Sequence, residues 1–166
     1  MKTLTDQLAG YAAYHRDRRN IALHFVGIPL IVLAVEILLS RAAFAIGPLR
    51  TTPATIGSAI VALYYLKLDL RLGAIMAALL ALGAWLGAAV AAQTSQIWLG
   101  TGIGLFAIGW AIQFVGHVYE GRKPAFLDDV IGLIIGPLFV VAEALFLLGL
   151  RDDLKDALSA RADRRS

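Results

Sequence analysis

Apolar runs and short polar knots alternate along most of this chain. The runs cover residues 21–39, 54–66, 72–92, 97–115 and 130–150. Four of them are long enough for a membrane helix, which needs about 20 apolar residues. The run at 54–66 is short for a span. The run at 130–150 carries Gly132, Gly136 and Pro137, so it either crosses fully or divides into two half-helices. Two amphipathic segments flank the runs. Leu4, Leu8 and Tyr11 share one helical face before the first, and Leu150, Leu154 and Leu158 share one after the last. The pattern predicts an all-α, multi-pass transmembrane helical bundle of four to six membrane helices or half-helices, with interfacial N- and C-terminal helices. One domain, 1–166, accounts for it: a lead-in (1–20), the bundle (21–150) and a basic tail (151–166). Asn20 is the expected N-cap of the first membrane helix.

Composition strengthens the membrane reading. The chain is 59% hydrophobic and 16% charged, against roughly 25% charged for an ordinary soluble domain. The net charge of +3 gathers at the ends of apolar runs, without aromatics interleaved, so nucleic acid is not an expected partner. The polar first twenty residues do not read as a cleavable signal. There is no cysteine, which excludes disulfides, thiolate metal sites and cysteine nucleophiles. No phosphate loop, dinucleotide fingerprint or serine elbow is present.

With four spans up to residue 115, the knots at 15–24, 67–71 and 117–129 fall on one face of the membrane. That face holds all three histidines (His15, His24 and His117) with Asp69, Glu120, Asp128 and Asp129. It also holds most of the basic residues, so the positive-inside rule makes it cytoplasmic. In the stretch 113–129, Gln113, His117 and Glu120 lie on one helical stripe. His15 and His24, nine residues apart, would point apart on one continuous helix; a break at residues 18–20 brings them together. Taken singly, each histidine is most simply an interfacial residue. Together, histidine and carboxylate suit a divalent transition metal, and two or three His with one carboxylate suit non-haem Fe(II) and O2. His15, His24, His117 and Glu120 are the candidate ligands. Asp69, Asp128, Asp129 and Glu143 are candidate acceptors for the second imidazole nitrogen. Glu143 is also an intramembrane acid, a functional candidate in its own right.

Two segments carry a resemblance. The first is H-x4-N-x3-H-x2-G-x-P, formed by His15, Asn20, His24, Gly27 and Pro29. The second is Q-x2-G-H-x2-E-x3-P-A, formed by Gln113, Gly116, His117, Glu120, Pro124 and Ala125. With YYLKLD ending at Asp69 and PLFVVAE ending at Glu143, they resemble the membrane 2-hydroxy fatty acid dioxygenases of fatty-acid α-oxidation over nearly the whole chain. The chain departs from that pattern at Asp128-Asp129, where Asp-Asn is expected. The resemblance implies an Fe(II)-dependent dioxygenase that shortens a 2-hydroxy fatty acid by one carbon with release of CO2, in a membrane that for bacterial members is the inner one. Its partners would be the fatty acid, O2 and membrane lipid; a homo-oligomer is left open. Glu120, Asp69 and Asn20 are then the expected catalytic or positioning residues. Gln113, Arg122 and Lys123 are placed to meet substrate, the cations through its carboxylate.

Two other classes fit the bare residues: a zinc-dependent lipid hydrolase on the same ligands, and a membrane scaffold or transporter whose knots bind headgroups. O2 dependence separates the first from a dioxygenase, and indifference to loss of the histidines marks the second.

Overall fold

The computed structural model describes residues 2–121 and 131–163. Helix α1 (Leu4–Tyr14) is followed by α2 (Arg18–Leu39), a hairpin of β1 (Phe44–Ile46) and β2 (Leu49–Thr51), α3 (Pro53–Leu68), α4 (Leu70–Ala91), α5 (Ser95–Glu120), α6 (Ile131–Leu147) and α7 (Asp152–Asp163). The fold is an all-α, multi-pass helical bundle. Helices α2, α4 and α5 have 22, 22 and 26 residues and are apolar enough to cross a membrane. At 1.5 Å per residue, each exceeds the ~30 Å hydrocarbon core. Helix α3, with 16 residues, reaches only about 24 Å. Within the run at 130–150, residues 131–147 form one continuous α6 through Pro137, not two half-helices, and the axis bends by 113° between α6 and α7.

The chain enters α2 differently from the sequence expectation. Asp17, not Asn20, is the N-cap: its carboxylate accepts from the Arg19 amide at 2.8 Å, and Asn20 lies inside the helix. The break therefore falls at residues 15–17, between α1 and α2. Side-chain and backbone hydrogen bonds from Arg19 hold the Asp17 carboxyl at about 2, so it stays an anion at the positive end of α2. The hairpin was not anticipated. It is mostly exposed and turns at Gly47, whose φ of +59° suits glycine.

Helix α2 is the central element, packed most extensively against α5 and then α4. Gly27 and Gly109 make the α2–α5 approach possible. A Cβ on Gly109 would lie 2.7 Å from Ile31 Cγ1 and 3.0 Å from the Gly27 carbonyl oxygen. Ile31 can move, but the carbonyl is backbone. Gly109→Ala is therefore expected to destabilise the protein by about 1–3 kcal/mol and to disturb the register of His24 on α2 against His117 on α5. Thermal unfolding measures the first effect.

The core under α1 gathers Leu4, Leu8 and Tyr11 with Tyr65, Leu72, Met76, Ile135, Leu138 and Phe139, and Leu154 of α7 joins it. Leu4, Leu8 and Tyr11 thus pack as expected, while of the expected C-terminal face Leu154 and Leu158 pack inward and Leu150, outside α7, is exposed. Arg151 pins α7 there, reaching the two Asp69 oxygens at 2.9 and 3.0 Å. Asp69 also caps α4 through the Leu72 amide at 2.7 Å. Burial raises the Asp69 carboxyl, but the Arg151 and Leu72 hydrogen bonds outweigh it and leave it below its ordinary value. A depressed carboxylate stabilises the fold above its unfolded pKa, and that contribution is lost as pH falls through the folded value. Arg151→Ala is expected to cost about 1 kcal/mol, discounted for partial exposure. It should also expose α7 to limited proteolysis at neutral pH, and the difference from wild type should shrink towards pH 3.

Candidate metal centre

The break at residues 15–17 folds α1 back over the start of α2, and this sets His15 beside His24. Ring centroids lie 4.7 Å apart for His15 and His24, 5.2 Å for His24 and His117, and 5.3 Å for His15 and His117. One nitrogen from each ring lies within 4.8 Å of the other two. All three are buried, at 3%, 2% and 9% exposure. The cluster sits within roughly 10 Å of the ends of α2 and α5, at one end of the bundle.

Two of the rings have fixed tautomers. His15 Nδ1 lies 2.9 Å from the Tyr11 carbonyl, and His24 Nδ1 lies 2.9 Å from the Asn20 carbonyl. A carbonyl only accepts, so each Nδ1 carries the hydrogen and each Nε2 keeps a lone pair. Acidic side chains were expected in this role; main-chain carbonyls four residues back take it instead, at helical spacing. Burial holds the His15 imidazole below its ordinary value, against the pull of the Tyr11 hydrogen bond and the Glu120 charge. The ring is neutral at pH 7.

The donors have unmet capacity. His15 Nε2, His117 Nδ1, Gln113 Oε1 and Asn20 Oδ1 are buried without a hydrogen-bond partner among the described residues. Buried polar atoms seldom go unpaired. Three buried imidazoles around a cavity of about 70 Å3 form a donor set suited to a divalent transition metal, with room for further ligands. Tyr11 stacks on His15 at 4.1 Å, and Phe139 backs Tyr11 at 4.8 Å. Gly136 allows this arrangement, because a Cβ there would lie 3.1 Å from the Tyr11 hydroxyl.

Glu120 has another task. Its carboxylate accepts from the Arg16 amide at 2.9 Å, the Asp17 amide at 3.0 Å and Asn20 Nδ2 at 3.0 Å. Those amides lie where the chain leaves α1 and enters α2, outside either helical ladder. Glu120 therefore fastens the end of α5 to the α1–α2 break and fixes His117 relative to His15. It is engaged by these three donors rather than grouped with the histidine nitrogens. Asn20 links both parts, giving its carbonyl to His24 and its amide to Glu120. Its side chain lies over Gly116, where a Cβ would stand 2.5 Å from Oδ1.

Gln113 lines the cavity. Asp69 is not brought to it: the carboxylate is taken by Arg151 and Leu72. Nor is Glu143, half-buried on α6 with Lys155 as its charge neighbour. Arg122, Lys123, Asp128 and Asp129 lie outside the described residues. Sequence reasoning missed Tyr11 as a wall of the site, although its position four residues before His15 is a helical contact spacing. It also missed Phe139, for which no local signal exists.

The family model described as "2-hydroxy-palmitic acid dioxygenase Mpo1-like" matches residues 1–148. The chain belongs to this family. The 2-hydroxy-palmitic acid dioxygenase of Saccharomyces cerevisiae is 32% identical over 157 residues, covering 93% of this chain and 87% of the yeast protein. No solved structure matches the chain significantly. The family match spans α1, α2 and α5, so it includes all three histidines, Gln113 and Glu120.

Proposed function

We propose that this protein is an Fe(II)-dependent dioxygenase that converts a 2-hydroxy fatty acid into the fatty acid one carbon shorter. The balanced reaction is R–CHOH–COOH + O2 → R–COOH + CO2 + H2O. The supporting observation is the buried three-histidine cluster, with unpaired ring nitrogens, in a chain of this family. His15, His24 and His117 would hold the metal. A ferrous ion in that setting supplies coordination positions at which a 2-hydroxy carboxylate and dioxygen meet.

The chain's own residues do the rest. The carbonyls of Tyr11 and Asn20 orient two rings, and Glu120 holds the third in register. Gln113 Oε1, unpaired in the same cavity, accepts a hydrogen bond from the substrate hydroxyl. Tyr11 and Phe139 wall the site against water, which protects an oxidative reaction from side chemistry. The exposed Arg16 and Arg18 stand near the α1–α2 break and draw in the carboxylate. By the positive-inside rule this end of the bundle is cytoplasmic.

The test is anaerobic reconstitution with Fe(II), then 2-hydroxypalmitate with and without O2, with products read by mass spectrometry. Pentadecanoic acid should form only with Fe(II) and O2. No pentadecanoic acid under any of these conditions, with O2-independent cleavage of an ester- or amide-linked lipid by the Zn(II)-loaded protein, would instead establish a hydrolase.

A further inference from the structure

The histidine cavity does not end at the histidines. Between α2, α4 and α6 it adjoins an apolar groove of about 270 Å3, close to the ~300 Å3 at which ordinary small-molecule pockets begin. Ile28, Val32 and Pro137 line both spaces. The inner wall is buried (Met76, Leu80 and Val140), while Leu79 and Leu82 are about half exposed on the outer side of α4. Because α4 is long and apolar enough to cross a membrane, the groove opens sideways towards the acyl region of the bilayer.

Its far end is polar. Glu36 is 5% exposed and lines the groove. Ser58 Oγ donates to Glu36 Oε1 at 2.7 Å. Gly83 presses against the carboxylate from α4, where any Cβ would collide with Oε2. An acid in this position has no part in the histidine site. It stands twelve residues beyond His24 on the same helix, about 18 Å along the axis. A fully extended acyl chain, with tetrahedral carbons about 1.5 Å apart, advances about 1.3 Å per bond, so this distance spans about 14 bonds.

We infer that the groove holds the acyl chain of the substrate, with its methyl end directed to Glu36, and that the Glu36–Ser58 pair limits chain length. The inference rests on the proposed reaction for the polar end of the ligand. Continuity with the histidine cavity selects a substrate chain over a bulk lipid chain, since only the former has a head group to place among the histidines. The length matches a saturated acid of roughly fourteen to sixteen carbons. A methyl end gains nothing by pushing past a hydrogen-bonded carboxyl, whose separation from Ser58 would leave buried polar groups unpaired.

Two measurements on the iron-loaded, full-length protein in phosphatidylcholine nanodiscs test this. A 2-hydroxy fatty acid with a diazirine at its methyl end should label peptides containing Leu33 and Glu36 or Leu82 and Leu86, and excess 2-hydroxypalmitate should suppress the labelling. In turnover of 2-hydroxy acids of about ten to about twenty carbons, Leu33→Trp should shift the kcat/KM preference towards shorter acids by about tenfold or more. Glu36→Ala should shift it towards longer ones. Labelling elsewhere, labelling that 2-hydroxypalmitate does not suppress, or an unchanged chain-length profile in both variants overturns the inference. Suppressible labelling at Glu36 in a wild-type protein that turns over no 2-hydroxy acid upholds the groove and removes the reaction instead. If neither variant folds, the wild-type labelling pattern still decides.

Discussion

Replacing any one of His15, His24 or His117 with alanine is expected to abolish tight metal binding and to reduce turnover by more than about 100-fold. Alteration of a residue that merely orients a metal ligand commonly costs 10- to 100-fold, and here a ligand itself is lost. The fold should survive. The main packing of the bundle lies in the α2–α5 contact and in the apolar core beneath α1. Without metal, His15→Ala and His117→Ala each remove an unpaired buried nitrogen, whereas His24→Ala leaves a cavity and frees the Asn20 carbonyl, so helicity should stay close to wild type while apo-state melting falls most for His24→Ala. Bound iron measured by mass spectrometry, beside circular dichroism of the same samples, separates a lost ligand from a lost fold. Equal metal content and function in all three variants would favour the scaffold or transporter reading.

Glu120→Ala is expected to act through position. It removes an acceptor from two backbone amides and the Asn20 amide at once. Hydrogen bonds to charged groups are worth about 1.5–3 kcal/mol each. With Glu120 only half-buried, a total loss of roughly 2–4 kcal/mol is expected. Metal affinity should fall about 10- to 100-fold, because the end of α5 no longer holds His117 against the α1–α2 break. Glu120→Gln keeps one oxygen acceptor but turns an amino group towards the backbone N–H donors, so it should lie between wild type and alanine. If Glu120 were a metal ligand, both variants should instead change the ligand signature of the bound ion. If it positions the helices, saturating iron should restore that signature in Glu120→Gln. Metal titration followed by spectroscopy distinguishes the two roles.

Sequence periodicity revealed the helices because a membrane demands long apolar runs, and the alternation of those runs put the three histidines on one face. The break that unites His15 and His24 was also expected, but at the wrong residues. Asn20 is a good cap by type, yet Asp17 takes that role because its anion pairs with the Arg19 amide and side chain. Asn20 is then free to join α2 to Glu120. Local pattern does not reveal which of two polar residues three positions apart has a partner a hundred positions away. The Asp69–Arg151 pair, 82 residues apart, was hidden for the same reason, and Asp69 looked like part of the site because it lies on the same face of the membrane. The acceptors for the imidazoles were sought among acids, although helix geometry offers each histidine the carbonyl four residues back. Glu36 lies one helical turn before Ser40 and Arg41, a spacing that by itself lets its carboxylate reach the interface. In the fold Ser58 and Gly83 hold it inward, and Arg41 turns to the end of α4, donating to the Ala91 and Gln93 carbonyls.

The most direct test of the central claim, one metal held by three histidines in a membrane bundle, is X-ray absorption spectroscopy of the Fe(II)-reconstituted protein with metal stoichiometry on the same sample. The expected result is about one iron per chain with imidazole scattering from three histidines, absent from a variant in which His15, His24 and His117 are all alanine. Iron bound without histidine scattering, or bound equally well by the triple variant, would contradict it.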